Sequence, residues 1–197
     1  GCLAATSGEV TVGGKSILED PNLVKRQIGY LPEQPPLYQD MTVKEYLYFM
    51  YELKKTKLPR EKHIKEICRL VKIDNVYNRL IANLSKGYKQ RVGIAQALIG
   101  NPPVLILDEA TSNVDTRTEM QIQAAMRELM KEKTCFVIAH RLSTIQDADL
   151  ILVMKQGELV ESGTHDALVK QGGEYAKMWS NYTKTTKWHI GNEVKVC

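Results

Sequence analysis

The sequence predicts an α/β fold built on a parallel sheet, and three observations lead there. Short apolar, β-favouring runs (Ile28–Leu31, Val104–Leu107, Thr134–Ala139) end in polar residues, and capped helical patterns separate them. No apolar run approaches the roughly 18 residues needed to cross a bilayer. At 197 residues, with 43% hydrophobic and 25% charged, the chain has the make-up of about one globular domain, which excludes disorder, collagen and coiled coil.

Alternation in Glu9-Val10-Thr11-Val12, then Gly13-Gly14, then Ser16-Ile17, predicts a small β-hairpin. Asp20 reads as an N-cap with Pro21 at the first helical position, so a short helix over Asn22 to Arg26 follows. Ile28 to Leu31 is a strand ended by a Pro-rich loop. Thr42 and Glu45 form a capping box for a helix through about Lys55. Pro59 separates it from a basic helix over Arg60 to Val71. Ser85 caps a helix that runs through Leu98, stopped by Gly100 and Pro102-Pro103.

Val104 to Leu107 is a continuous apolar run, as in a strand buried on both faces, and ends in Asp108-Glu109. Thr116 and Glu119 box the next helix, through about Met130. Thr134 to Ala139 is a second buried strand, ending at His140. Leu150 to Met154 and Leu159-Val160 pair about a turn at Gln156-Gly157. Helices near His165–Lys170 and Glu174–Asn181 follow, and the helical block from Thr42 to Gly100 is a candidate subdomain.

The net charge of +4 comes from 27 basic and 23 acidic residues. Up to Ala110 there are 16 basic and 12 acidic residues, and from Thr111 onward 11 of each. The excess concentrates between Lys54 and Arg91. Such a run is a solvated helical face or, in sharper form, a surface for nucleic acid or acidic lipid. Cys2, Cys68, Cys135 and Cys197 form no Cys-x-x-Cys pair, which argues against a disulfide framework or zinc site and fits a reducing compartment. Cys68 and Cys135, among apolar neighbours, read as small core residues. Gly1-Cys2-Leu3-Ala4-Ala5 lacks a starting Met and the pattern of a signal peptide, and reads as a sequence cut short at its start.

Four features sit at strand ends or helix starts, where open α/β sheets bind ligands: Gln34, Ser85 with Gly87, Asp108 with Glu109, and His140. Leu84-Ser85-Lys86-Gly87-Tyr88 is similar to Leu-Ser-Gly-Gly-Gln, the signature of the ATPase domain of ABC transporters. Val104-Leu105-Ile106-Leu107-Asp108-Glu109 resembles that family's Walker B strand with its adjoining Glu, and Ser112-Asn113-Val114-Asp115 its D-loop. Gln34 falls at the Q-loop position and His140 at the switch histidine. Tyr88 stands where the family has Gln.

The resemblance covers about residues 1–182, leaving 183–197 unassigned. It implies a P-loop NTPase-like (RecA-like) parallel sheet, incomplete at the N-terminus, with a helical signature subdomain over about 42–100. It also implies magnesium-dependent ATP hydrolysis in a dimer of ATPase domains. By the same resemblance Asp108 holds magnesium mostly through water. Glu109 orients and deprotonates the attacking water, and Gln34 reaches both metal and water and senses the membrane partner. His140 contacts the γ-phosphate. Ser85 and Gly87 act on nucleotide held by the second domain, and Asp115 belongs with the nucleotide-binding residues. The implied partners are a transmembrane permease domain or subunit and a second ABC ATPase domain, at the cytoplasmic face of the plasma membrane. A nucleic-acid partner is not expected.

The family also carries a P-loop, Gly-x-x-x-x-Gly-Lys-Ser/Thr, ahead of these motifs. The nearest stretch, Gly14-Lys15-Ser16, has Glu9 where the first Gly is required, and it soon meets Pro21. Gly13-Gly14 is expected to be a hairpin turn instead. By resemblance the chain opens inside the helix that follows the P-loop, and the missing P-loop strand would leave a neighbouring strand edge exposed. The chain alone is then expected neither to bind ATP tightly nor to hydrolyse it. Up to Glu109 the motifs resemble stand-alone ATPase subunits. Ile138-Ala139-His140-Arg141 and Glu161-Ser162-Gly163-Thr164-His165 resemble fused exporters, so a hybrid joined in the Walker B segment is expected. The alternatives are a non-enzymatic partner that lends Ser85 and Gly87 to another chain's P-loop, and a non-transport ATPase acting on nucleic acid.

Overall fold

The computed structural model describes residues 7–108, 130, 132–139 and 142–192, with 185–192 described by backbone alone. It divides into two units, Gly1–Ile138 and Ala139–Cys197.

The first unit opens on a hairpin of β1 (Thr11–Val12) and β2 (Lys15–Ser16), with Thr11 opposite Ser16 and Val12 opposite Lys15. Gly13 and Gly14 turn it at φ 56° and 73°. A two-residue turn of this hand needs positive φ at both centres, which glycine adopts without strain. Gly14-Lys15-Ser16 is thus a turn and an antiparallel strand, with none of the shape of a phosphate loop.

The first helix, α1 (Pro21–Arg26), has Asp20 at the N-cap position and Pro21 as its first residue as expected, but the Asp20 side chain makes no cap bond. Its backbone carbonyl accepts from Leu23 and Val24 N–H at 3.1 and 3.0 Å, the second being the ordinary first bond of a helix. The capping box at Thr42 is as the sequence predicts: Thr42 N–H donates to Glu45 Oε2 at 2.8 Å and Glu45 N–H to Thr42 Oγ1 at 3.2 Å. The helix it opens, α2 (Val43–Lys54), ends on Lys55 in the left-handed region. α3 (Arg60–Leu70) follows Pro59, and α4 (Lys86–Leu98) is closed by Ile99, Gly100 and Asn101, the latter two at φ 84° and 49°.

Three parallel strands form the sheet in the order β3 (Ile28–Leu31), β4 (Val104–Asp108), β5 (Thr134–Ile138). Ile28 lies level with Val104 and Val104 with Thr134, so all three begin on one edge. Two burial expectations are corrected. In β4 only Leu105 and Leu107 are buried, while Val104, Ile106 and Asp108 are half-buried. In β5, Thr134, Phe136 and Ile138 are exposed and none is fully buried. The reason is the face: Leu105, Leu107, Cys135 and Val137 pack toward the core shared with the helices, while the residues alternating with them lie on the other face of the sheet. The boxed helix from Thr116 lies outside the described residues, apart from Met130.

One core joins sheet and helices, running from Leu31, Leu105 and Leu107 through Val43 and Leu47 of α2, Ile64 and Ile67 of α3, and Val92, Ile94 and Ala97 of α4. Cys68 is part of it, and burial pushes its thiol up to about 12, so it is an inert packing residue. Cys135 is half-buried and also raised by desolvation.

His63 ties α3 to the end of α4, its Nε2 accepting the Gly100 N–H at 3.0 Å. Accepting requires a neutral ring. Burial lowers its pKa from 6.5, opposed by Glu66. Below that value the unfolded chain takes up a proton that the folded chain resists, so stability is full above about pH 6.5 and falls as pH drops. Urea unfolding at about pH 7.5 and about pH 5.5 checks this: the midpoint falls at the lower pH, and His63→Gln loses the part of the fall that His63 contributes.

In the second unit β6 (Ile151–Lys155) and β7 (Glu158–Gly163) are antiparallel about Gln156 and Gly157, with a register shift between Val153 and Met154. Ile151, Val153, Leu168 and Tyr175 form its core with α5 (His165–Gln171). The final helix, α6, spans Glu174–Asn192. This corrects the expected end at Asn181 and takes most of the unassigned tail into a helix. Its start is capped by Glu161 of β7, whose two carboxylate oxygens accept from Glu174 and Tyr175 N–H at 2.5 and 3.1 Å.

Candidate functional site

Because β3, β4 and β5 are parallel and in register, their carboxyl ends share one edge. Leu31 is level with Leu107, and Asp108 with Ile138. Alternation along β4 sends Leu105 and Leu107 into the core and leaves Asp108 half-buried on the other face, at the strand's last position. Gln34 lies in the exposed bend after β3. The fold therefore brings Gln34 and Asp108 to the same edge. Glu109, Asp115 and His140 lie outside the described residues.

Ser85 and Gly87 come to this edge differently. A Cβ on Gly29 would overlap the Ala97 carbonyl oxygen, and one on Gly93 would lie 2.8 Å from Leu31 Cδ1. The early part of β3 thus meets the late part of α4, so helix and strand run in opposite directions. Ser85, eight residues before Gly93, stands about 12 Å further along the helix axis at 1.5 Å per residue, out past the carboxyl edge. Its hydroxyl accepts from Tyr88 N–H at 3.4 Å. The remaining first-turn N–H groups and the positive end of the dipole suit an anion. Exposed Ser85 and half-exposed Gly87 therefore form a separate surface from the pair at the sheet edge.

Tyr88 has a place the motif comparison left open. Its hydroxyl accepts from Asn75 Nδ2 at 2.8 Å, and the Arg91 guanidinium lies 4.8 Å over its ring. Arg91 Nη1 in turn donates to the Lys72 carbonyl at 3.2 Å. Asn75 and Arg91 went unrecognised from sequence because they meet Tyr88 from another element and from one helical turn away, with no pattern linking them. Beyond Gln34, Tyr38 and Phe49 expose two rings packed edge to face at 5.5 Å, 49% and 39% exposed.

Among the described residues no three His, Cys, Asp or Glu side chains group to cage a metal. A single strand-end carboxylate suits a magnesium ion that keeps most of its waters and takes phosphate oxygens. In the second unit an open depression of about 250 Å³, lined by Gln146, Asp147, Ala148, Thr164, His165 and Asp166, involves none of the predicted residues.

The profile of the ABC transporter family matches residues 1–112. The chain is 40% identical over 202 aligned positions to an ATP-dependent lipid A-core flippase of Syntrophus aciditrophicus, covering 96% of this chain and 32% of that one. A flippase of the same name from Pseudomonas fluorescens is 61% identical over 95 residues, 48% of this chain and 16% of that one. Among solved structures, a bacterial Atm1-family ABC exporter with ATP bound superposes with a TM-score of 0.77 at 34% identity, covering 89% of this chain and 32% of its own. The chain spans about a third of the length of the curated relatives it matches. No described helix is long and apolar enough to cross a membrane.

Proposed function

The chain belongs to the ABC transporter family, and from that premise we propose that it is the ATPase part that energises transport across a membrane. The observation that carries this reading is the placement of Gln34 and Asp108 on one carboxyl edge, with the Ser85 helix start projecting past it. ATP and magnesium are the proposed ligands. Asp108 and Gln34 hold the metal, which supplies charge neutralisation at the phosphates. Glu109 orients and deprotonates water, and His140 contacts the γ-phosphate. Ser85 and Gly87 serve nucleotide on a second ATPase domain, and Asp115 is assigned with the nucleotide-binding residues. Tyr38 and Phe49 offer a transmembrane partner an apolar seat beside Gln34, at the cytoplasmic face of the membrane.

Within these 197 residues the nearest match to a phosphate loop is a hairpin, so the chain by itself is proposed to lack ATPase activity. The test joins the chain behind a P-loop-bearing segment of a lipid A-core flippase relative. Magnesium-dependent ATP hydrolysis by the joined protein is the expected result, and failure of a folded joined protein to bind or hydrolyse ATP would overturn the reading. The same hairpin favours a second reading, in which the chain only lends Ser85 and Gly87 to a partner. Under it the unjoined chain stimulates a separate P-loop-bearing ATPase domain, and Gly87→Asp abolishes the stimulation.

A further inference from the structure

One face of α3 and the loop before it take no part in the site above. At 3.6 residues per turn, Lys62, Lys65 and Arg69 fall within about 60° of one another, opposite the buried Ile64, Ile67 and Cys68. All three are exposed. The preceding loop adds exposed Lys55 and Lys57 with Leu58, 37% exposed, and Leu53, 60% exposed, stands just before it in the last turn of α2. From Lys54 to Arg79 there are nine basic residues and three acidic ones. Of the acids, Glu61 is engaged by the Tyr48 hydroxyl, and Glu66 lies at the margin of the stripe.

This surface is held in shape. The Tyr51 hydroxyl donates to the Leu58 carbonyl, Leu58 N–H donates to Thr56 Oγ1 at 3.3 Å, and Arg60 pairs with Glu52 at 3.0 Å. It also stands away from the nucleotide edge. Lys54 Nζ, where α2 runs into the loop, donates to the Ile28 carbonyl at 2.5 Å, at the amino end of β3.

We propose that the outer face of α3 and the Lys55–Pro59 loop form a docking surface for anionic lipid headgroups. Cations attract the headgroups, and the exposed leucines that flank Lys54, Lys55 and Lys57 in the chain gain by entering the acyl boundary, a combination that suits a lipid surface. A polynucleotide would use the cations but give the leucines nothing, and it would want open aromatic faces for stacking. The neighbouring Tyr48 ring is already covered by Lys44 at 5.5 Å and Arg60 at 4.7 Å. The proposal goes beyond the ATPase reading and stands or falls without it.

The test is flotation of the 197-residue chain with vesicles of phosphatidylcholine, with and without phosphatidylserine. Binding is expected only with phosphatidylserine and weakens as salt rises. Lys62→Glu with Lys65→Glu lowers the partition coefficient at least about tenfold, and the milder Lys62→Gln with Lys65→Gln lowers it less. Leu53→Ser with Leu58→Ser lowers it severalfold without changing the salt slope, and Lys184→Glu leaves it unchanged. Circular dichroism confirms that each variant is folded. Equal binding to pure phosphatidylcholine, indifference to the α3 variants, or tighter binding to a DNA duplex at the same phosphate concentration would each overturn the proposal.

Discussion

Gly29→Ala is expected to destabilise the first unit by at least about 3 kcal/mol, read as a drop in the urea midpoint. The added Cβ would overlap the Ala97 carbonyl oxygen and sit 2.6 Å from Leu105 Cδ2 and 2.9 Å from Pro102 Cγ. It is wedged between the backbone of α4 and the interior of the sheet, so no flexible side-chain end can give way. Relief requires moving α4 off β3, which breaks the core at its centre and disturbs the buried Gln96 Nε2 bond to the Tyr30 carbonyl at 3.3 Å. Gly93→Ala makes the comparison. Its Cβ meets Pro35 Cγ at 2.5 Å and Leu31 Cδ1 at 2.8 Å, both side-chain atoms, so a smaller loss of about 1–2 kcal/mol is expected. Equal effects for the two would contradict the packing account.

In the joined, P-loop-bearing protein, Glu109→Gln is expected to lower kcat by a factor of about 100–1,000 while ATP binding is kept. An amide can still orient a water but cannot take its proton. Asp108→Asn should instead act through the metal, raising the magnesium needed for half-maximal rate. The two variants therefore separate, one in the chemical step and one in metal dependence. A Glu109→Gln protein with an unchanged rate would remove Glu109 from the mechanism.

Much of this was legible in the sequence because it rests on local chemistry. The capping box at Thr42 and Glu45, the Gly13-Gly14 turn and the apolar run before Asp108 each carry their signal within a few residues. Legibility stopped where the outcome depends on distant partners. Val104 to Leu107 and Thr134 to Ile138 are both apolar, yet among the described residues one strand pairs on both sides and the other on one, and only pairing distinguishes them. Asp20 has the chemistry of a cap and stands at the cap position, yet its side chain makes no bond there. The Tyr88–Asn75 bond joins residues whose proximity no periodicity announces. For the candidate site, the sequence supplied the residues and the parallel register supplied the shared edge of Gln34 and Asp108.

The carboxylate of Glu161 on β7 also has a consequence for the cost of starting the final helix. Starting a helix is its unfavourable step, since the first turn is fixed before its bonds repay the lost freedom. For α6 two of those first N–H groups are met by an acceptor delivered from the neighbouring hairpin. A folded β6–β7 hairpin thus lowers the cost of starting the helix that spans Glu174–Asn192.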